Sequence, residues 1–209
     1  LCYWMDPQHA ALQRELRRLR EDRFRRGELM VGKLQELGLP VAFQRVRAIA
    51  GDATIVRPHI AQAMVEAGVV ATEKEAFERY IGDGGPAHVA KHALDPVNAV
   101  ALIEGAGGVC ALAHPGMWGD QSAVPVELIE GMAAAGMRGL EVDHPDHTPE
   151  MREHYRTLAG KLGLIATGGS DCHGTRYDPV GLGTSLCDPE AFAALPALAP
   201  HGSPAEPAP

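Results

Sequence analysis

Apolar and polar positions follow a helical period in the first third of the chain. Leucine and methionine recur three or four residues apart between Leu12 and Leu37, which predicts one long amphipathic helix over residues 7–37. Gly38 and Pro40 end it, because neither residue continues a helix well. The next segment predicts two short helices and then a glycine-rich turn at residues 82–86. This turn follows a helix and lacks a lysine with serine or threonine, so it predicts a helix stop rather than a phosphate loop.

The pattern changes after residue 95, where short apolar strands alternate with helices. Strands that recur every 25 to 30 residues, with a helix between them, predict βαβ units and a parallel sheet or barrel. The predicted strands are 109–113, 139–143 and 164–167, and the predicted helices are 96–104, 125–135 and 149–162. The sequence from about residue 188 is rich in proline and alanine and predicts a frayed tail.

These patterns predict an α/β protein of four segments. Residues 1–39 are predicted to be a barrel segment with the long helix, and residues 40–92 a small helical unit, which the family resemblance given below implies to be an insertion acting as a substrate lid. Residues 93–187 form C-terminal β/α units, and residues 188–209 form the tail. A chain of 209 residues suits one α/β domain that carries such an insertion.

Composition narrows the possible partners and the compartment. The net charge of −8 argues against a general basic surface for nucleic acid, so we expect no stable DNA partner. No apolar run is long enough to span a membrane. The four cysteines lie far apart without a C-x-x-C pair, which favours a reducing, cytoplasmic setting.

The long helix has an arginine-rich middle with two interpretations. The arginines form either an anion-binding or nucleic-acid-facing stripe, or a solvated face of ion pairs three and four residues apart. We favour the solvated face, because acidic residues are interspersed. The arginines are Arg14, Arg17, Arg18, Arg20, Arg23, Arg25 and Arg26.

Each predicted strand of the second half ends in residues that bind metals. His114 follows the first strand, a segment with His144 and His147 follows the second, and Asp171 and His173 follow the third. Because the carboxyl ends of parallel strands open onto one face, we expect these residues to converge there. Imidazole and carboxylate together suit Zn²⁺, Mn²⁺ or Fe²⁺, and such a metal lowers the pKa of a bound water.

Several motifs resemble the PHP (polymerase and histidinol phosphatase) domain family. They are the Ala-His-Pro-Gly segment at 113–116, the Gly-Leu-Glu-Val segment at 139–142 and the Gly-Ser-Asp-Cys-His-Gly segment at 169–174. The Arg-Pro-His-Ile-Ala segment at 57–61 resembles the helical insertion of one branch. That branch dephosphorylates 3′,5′-nucleoside bisphosphates and trims short RNA from the 5′ end.

The resemblance implies a distorted seven-stranded β/α barrel and a cluster of divalent metals, with manganese favoured over zinc, iron or magnesium. It implies His114, Asp171 and His173 as metal ligands, with Asp171 and His173 also taking part in catalysis. It places Arg57, His59, His147 and Lys91 on the substrate side. Arginine suits this role because its planar fork of donors matches phosphate.

The chain departs from the family at its start. It begins inside the last of the family's early motifs, at Leu1-Cys2-Tyr3, and Cys2 stands where the pattern has glycine. We therefore expect the missing ligands on an N-terminal segment of the same protein, and weak metal binding with little turnover by the isolated chain.

The sequence thus predicts an enzyme, a metal-dependent phosphoesterase acting on small nucleotides or on the 5′ ends of short RNA. One alternative is an amidohydrolase-like enzyme, although no strand ends in a lysine that could bridge two metals. The other is a degenerate barrel without catalysis that binds nucleic acid or protein through the arginine-rich helix.

Overall fold

The computed structural model describes residues 1–91, 93–117, 123–173 and 181–199. The chain divides into two compact units. Residues 13–93 form a helical unit, and residues 1–12 with those from 94 onward form an α/β unit. The sequence-based segments differ at the long helix, which they group with the barrel although most of it belongs to the helical unit.

The helical unit follows the predicted pattern with one added helix. Thr72 Oγ1 accepts a hydrogen bond of 3.1 Å from the Glu75 N–H and so caps the start of a short helix. The added helix, Phe43–Ala50, has no side-chain cap at Ala42, and the sequence pattern did not predict it. The elements are α1 (Ala10–Glu36), α2 (Phe43–Ala50), α3 (Arg57–Glu66), α4 (Glu73–Ala76) and a π-helical turn (Phe77–Ile81).

A single apolar core holds these helices together. Met30 and Leu34 of α1 are buried with Val46 of α2, Ile60 of α3 and Ile81 of the π-helical turn. Each such side chain contributes about 1.5 to 3 kcal/mol by leaving water. α1 is 27 residues long, yet across the described ranges no helix is both long and apolar enough to cross a membrane.

The α/β unit contains a four-stranded sheet in the order β1 (Cys2–Tyr3), β2 (Val109–Leu112), β3 (Gly139–Asp143) and β4 (Ile165–Gly168). β1 pairs antiparallel with β2, whereas β2, β3 and β4 are parallel neighbours, as the βαβ rhythm predicts. The seven-stranded barrel stays a prediction. The elements are β1 (Cys2–Tyr3), α5 (Pro96–Gly105), β2 (Val109–Leu112), α6 (Val126–Ala134), β3 (Gly139–Asp143), α7 (Pro149–Leu162), β4 (Ile165–Gly168), α8 (Pro189–Ala194) and a 3₁₀ turn (Leu195–Leu198).

The central strand β3 is buried along most of its length. Leu140 and Val142 are fully buried in a core with Ile129 of α6 and Tyr155 of α7. A Cβ atom at Gly139 would lie 2.7 Å from the Ala111 Cβ, so only glycine permits the close approach of β2 there. Because both faces of β3 are buried, its sequence is mostly apolar, with Glu141 as the acidic residue in its interior.

The segment after residue 188 corrects the expectation of a frayed tail. α8 and the 3₁₀ turn are formed, and Leu195 is completely buried. The Phe192 ring lies 6.2 Å from the Tyr3 ring and 5.9 Å from the Trp4 ring. These apolar contacts order the segment despite its proline and alanine content. Residues 200–209 of the predicted tail lie outside the described residues.

The pairing of β1 with β2 predicts a specific disulfide under oxidation. Leu1 and Ala111 exchange two backbone hydrogen bonds, so the next pair, Cys2 and Cys110, faces across a non-hydrogen-bonded position. Such a pair has Cα atoms about 4.5 Å apart, within the range that a disulfide spans. We expect glutathione disulfide to link Cys2 to Cys110 within the chain, detected by peptide mass analysis without reductant.

Burial raises the pKa of the Cys110 thiol to about 11, so we expect the link to form slowly after the exposed Cys2 has reacted. The Cys110→Ser variant is the control and should keep Cys2 unlinked within the chain. Prolonged oxidation that leaves the Cys2 and Cys110 peptides separate would contradict the register of β1.

Candidate functional site

The ends of the parallel strands bring histidines and an aspartate together, as the strand pattern predicts. The rings of His114, after β2, and His144, after β3, lie 5.3 Å apart between centroids. His144 Nε2 lies 3.9 Å from Oδ2 of Asp171, which follows β4. The strand pattern predicted this convergence for His114 and Asp171 but gave His144 no specific role.

His114 is held by a buried carboxylate on the neighbouring strand. Its backbone N–H donates a hydrogen bond of 2.7 Å to Glu141 Oε2, and Glu141 is only 4% exposed. The φ of His114 is +28°, a region that residues with a side chain rarely adopt. Glu141 thus stabilises an unfavourable backbone conformation that sets where the His114 ring lies.

His144 carries a hydrogen-bond donor that the described residues leave unused. Its Nδ1 accepts a bond of 3.2 Å from the Asp146 N–H, which assigns the proton of the neutral ring to Nε2. Nε2 is buried, and no hydrogen-bond partner for it exists in the part of the chain that the structure describes. A buried donor without a partner is costly, so this atom is suited to meet a ligand oxygen.

The backbone of Asp171 orients the His173 ring. His173 Nδ1 lies 2.6 Å from the Asp171 backbone oxygen, which makes Nδ1 the donor and leaves Nε2 with a free lone pair. His173 Nδ1 also lies 3.8 Å from Asp171 Oδ1. Asp171 has a positive φ of +49°, so the loop turns sharply at this residue.

These donor types fit a divalent cation, but the described residues do not assemble a complete site. Neutral imidazole and carboxylate are ligands that Mn²⁺ and Zn²⁺ accept. Across residues 1–91, 93–117, 123–173 and 181–199, no three histidine, cysteine, aspartate or glutamate side chains come together in a group that could hold a metal. The assignment of His114, Asp171 and His173 as ligands therefore stays a prediction.

His147, predicted on the substrate side, is buried with both ring nitrogens engaged. Nδ1 lies 2.9 Å from the Val142 oxygen, and Nε2 accepts a bond of 3.2 Å from the Gly116 N–H. Burial lowers the pKa of His147 and favours the neutral ring. This geometry leaves neither ring nitrogen available to a substrate.

The two acidic residues of β3 have different surroundings. A regular strand places residues two apart on the same face, but the register of β3 with β4 shifts between Glu141 and Asp143. Asp143 accepts two hydrogen bonds, of 3.1 and 3.0 Å, from Arg156. Glu141 is therefore the acid that supports the candidate site, which a two-residue period alone does not reveal.

The helical unit contains a cavity of about 370 Å³ with a cationic wall. Arg23 and Arg26 of α1, Arg57 of α3 and Lys91 line it. The structure thus brings together two of the predicted substrate residues, Arg57 and Lys91, and adds two arginines of the long helix. The sequence pattern indicated the arginine-rich helix but favoured a solvated face for it.

Arg57 is fixed in this wall from two sides. Its Nη1 donates a hydrogen bond of 2.8 Å to Asp83 Oδ1, and its guanidinium lies 5.5 Å from the centre of the Phe77 ring. The bond from Arg57 lowers the pKa of Asp83. Burial lowers the pKa of Arg26, the charge of Arg57 lowers it further, and the Asp83 carboxylate acts in the opposite direction.

His59, also predicted on the substrate side, lies at the start of α3. Its Nδ1 accepts a hydrogen bond of 3.3 Å from the Val56 N–H, so it caps the helix that carries Arg57. It does not line the cationic cavity. Its predicted contact with substrate therefore stays a prediction, whereas its contact with the helix start is observed.

The chain is similar to several known phosphoesterases. It is 32% identical over 170 residues to a 3′,5′-nucleoside bisphosphate phosphatase of Chromobacterium violaceum, covering 81% of this chain and 60% of the relative. It is 32% identical over 168 residues to a 5′-3′ exoribonuclease of Haemophilus influenzae, covering 80% and 60%. The chain thus spans about three fifths of the length of these curated relatives. No protein-family model matches it.

A solved structure extends the likeness to the fold. A Bifidobacterium adolescentis protein assigned as a metal-dependent phosphoesterase superposes with a TM-score of 0.81 at 33% identity, covering 95% of this chain and 70% of that one. The fold and this likeness define the class of the protein as one of mixed α/β structure. More particularly, the chain belongs to the PHP-like phosphoesterase family.

The bond between Glu141 and His114 predicts a measurable loss of stability. Glu141→Ala removes the acceptor of the His114 N–H, and an unsatisfied donor of this kind costs about 1 to 3 kcal/mol. We expect the free energy of unfolding in urea to fall by that amount. Glu141→Gln keeps an acceptor oxygen and should cost less. Equal losses in the two variants would show that the hydrogen bond does not matter.

The lowered pKa of His147 predicts a dependence of stability on pH. Below about pH 6.5 the unfolded state binds a proton at His147, whereas the folded state binds it only at lower pH. The contribution of His147 is therefore fully present above pH 6.5 and is lost as the pH falls through this window. Urea unfolding between pH 7.5 and 5 should show a shallower decline in His147→Gln than in the native chain.

The control for this titration is His154→Gln, which changes an exposed histidine on α7. It should leave the pH dependence of the native chain unchanged. If His147→Gln declined as steeply as His154→Gln, His147 would not be the group responsible.

Proposed function

We propose that this chain carries the phosphoesterase activity of its family, removing a phosphate from 3′,5′-nucleoside bisphosphates or acting at the 5′ ends of short RNA. The names of its relatives support both substrates, since one is a bisphosphate phosphatase and another an exoribonuclease. Both substrates carry a phosphate beside a ribose and a base. A site for either therefore needs cationic side chains next to apolar surface.

The observation that carries this proposal is the cationic cavity of the helical unit. Arg23, Arg26, Arg57 and Lys91 supply positive charge, while Phe77 and Ile60 supply apolar surface in the same wall. A volume of about 370 Å³ lies within the range of small-molecule sites. Four cations line the cavity, and the nearby Asp83 carboxylate pairs with one of them, Arg57. The positive charge that remains lets an anionic ligand gain free energy by entering the cavity.

Arg57 is the residue best placed to recognise a phosphate. The planar guanidinium donates two parallel hydrogen bonds to phosphate oxygens, which lysine does not do. Stacking on Phe77 limits the rotation of the side chain, so less entropy is lost when phosphate binds. We propose Lys91 as a second, less directional charge in the same wall.

At the strand ends, we propose His114, Asp171 and His173 as ligands of a divalent cation, with manganese favoured. When bound, such an ion supplies a hydroxide from water and neutralises charge on a phosphoryl oxygen. His144 contributes a neutral N–H that faces the same cluster and donates to an anionic oxygen. Its burial keeps water from competing for that donor.

We also propose that the complete protein acts in the cytoplasm and that its partner is a nucleotide or a short RNA. The weak turnover expected of the isolated chain stays a prediction. The amidohydrolase alternative has no support in the cationic cavity, because it does not require a phosphate-binding wall.

The proposal predicts that the chain binds 3′-phosphoadenosine 5′-phosphate through Arg57. Calorimetry without metal should show binding that Arg57→Ala weakens about tenfold to hundredfold, the effect of losing a charge-assisted hydrogen bond. In the complete protein, manganese should stimulate the release of inorganic phosphate from the same nucleotide, and Asp171→Asn should remove that stimulation.

Arg45→Ala is the matched control, because Arg45 belongs to the same unit but pairs with Glu66 outside the cavity. It should bind the nucleotide as the native chain does. Equal binding by Arg57→Ala and the native chain would contradict the cavity as the phosphate site. Binding without phosphate release by the complete protein, with or without manganese, would favour the non-catalytic binding module.

A further inference from the structure

A second cavity adjoins the first in the helical unit. It measures about 260 Å³, and its lining includes Arg20 and Phe24 of α1 and Arg47 of α2. Ile55 lines both cavities, so a single side chain forms part of the wall between them. A ligand longer than one nucleotide could therefore continue from the first cavity into the second.

The second cavity repeats the composition of the first. In the first cavity the Arg57 guanidinium lies 5.5 Å from the Phe77 ring centre, and in the second the Arg47 guanidinium lies 5.7 Å from the Phe24 ring centre. Each cavity thus combines an arginine stacked on a phenylalanine with further positive charge. A repeated site is what a ligand with a repeated chemical unit requires.

The arginines of the second cavity are available to a ligand. Within the described ranges, no carboxylate lies within 4.0 Å of the guanidinium nitrogens of Arg20, Arg23 or Arg47, whereas neighbouring Arg18 pairs with Glu15 and Asp22. One carboxylate, that of Asp52, is in the lining of the second cavity, so the lining keeps a positive balance. Arg20 lies one helical turn before Arg23, a rise of about 5 Å. The two cavities therefore receive charge from successive turns of α1.

Phe24 offers a surface suited to a nucleobase. Its ring packs edge-to-face on Phe43 at 5.2 Å, which fixes its orientation, and 38% of the residue remains exposed. Stacking of a base on an aromatic ring contributes about 1 to 3 kcal/mol and tolerates any base. The arginines bind phosphate equally without regard to sequence.

We propose that the second cavity holds the next nucleotide of a single-stranded RNA whose terminal phosphate occupies the first cavity. This proposal rests on the proposed function and deepens it, because it makes an oligonucleotide the better ligand than a mononucleotide. Arg20 and Arg47 bind the following phosphate, and Phe24 stacks on its base. The negative net charge of the chain does not oppose this binding, because the arginines concentrate positive charge at the two cavities.

The experiment compares two ligands on the 209-residue chain without metal. One is 3′-phosphoadenosine 5′-phosphate and the other is a 5′-phosphorylated RNA trinucleotide, with affinities measured by calorimetry at several salt concentrations. We expect the trinucleotide to bind at least about tenfold more tightly. The double variant Arg20→Ala with Arg47→Ala should remove that advantage while its affinity for the mononucleotide stays unchanged. Its salt dependence for the trinucleotide should become shallower by about 0.7 in logarithmic slope, the value for one phosphate of a single strand that is no longer neutralised.

Phe24→Leu keeps apolar volume against Phe43 and should lower trinucleotide affinity without changing the salt slope. Arg45→Ala removes one positive charge from α2 outside the cavity and should change neither ligand. If the double variant kept the trinucleotide advantage while Arg57→Ala still weakened the mononucleotide, the second site would be refuted and the proposed function would stand. If neither ligand bound the native chain, the proposed function itself would fail. Equal losses in Arg45→Ala and the double variant would show a general charge effect and refute the second site.

Discussion

The hydrogen bond from the His114 N–H to the buried Glu141 carboxylate is the interaction on which the arrangement of the strand-end residues depends. A carboxylate with 4% exposure is costly to bury unless its oxygens accept hydrogen bonds. Glu141 meets this requirement by accepting from the His114 N–H, which in turn stabilises the positive φ of His114. The His114 ring then lies beside His144, and His144 lies beside Asp171. One hydrogen bond therefore positions His114, and through its contact with His144 it supports the approach of His144 to Asp171.

Much of the α/β unit could be predicted from sequence because its signals are local. Apolar runs mark β2, β3 and β4, and helices α5 and α7 begin after Asp95 and Thr148, which accept hydrogen bonds as side-chain caps. Helix α2 lacks such a cap, and its short sequence contains two arginines, so packing of Val46 in the core decides its structure. Tertiary packing also explains α8, because Phe192 packs against the rings of Tyr3 and Trp4, which are far from it in the sequence.

The candidate site could be predicted only in part, because two of its determinants are not local. The convergence of His114 and Asp171 follows from parallel strands, which the sequence indicates. The role of Glu141 depends on a shift in register beside it, and the unpaired Nε2 of His144 depends on a loop hydrogen bond from Asp146 within the described part of the chain. Neither the register shift nor the loop hydrogen bond can be predicted from the spacing of residue types in the sequence. His147 shows the converse, since a motif histidine can be engaged entirely by backbone groups.

The arginines of α1 show how a tertiary cavity changes the meaning of a local charge pattern. Spacing alone favours ion pairs along the helix, and Arg18 does form such pairs with Glu15 and Asp22. Arg20, Arg23 and Arg26 instead line cavities whose other walls come from α2, α3 and the π-helical turn. A net charge of −8 averages over both units and therefore describes neither cavity. Electrostatic recognition acts over about one Debye length, roughly 10 Å, so these local cations decide which anions the helical unit can bind.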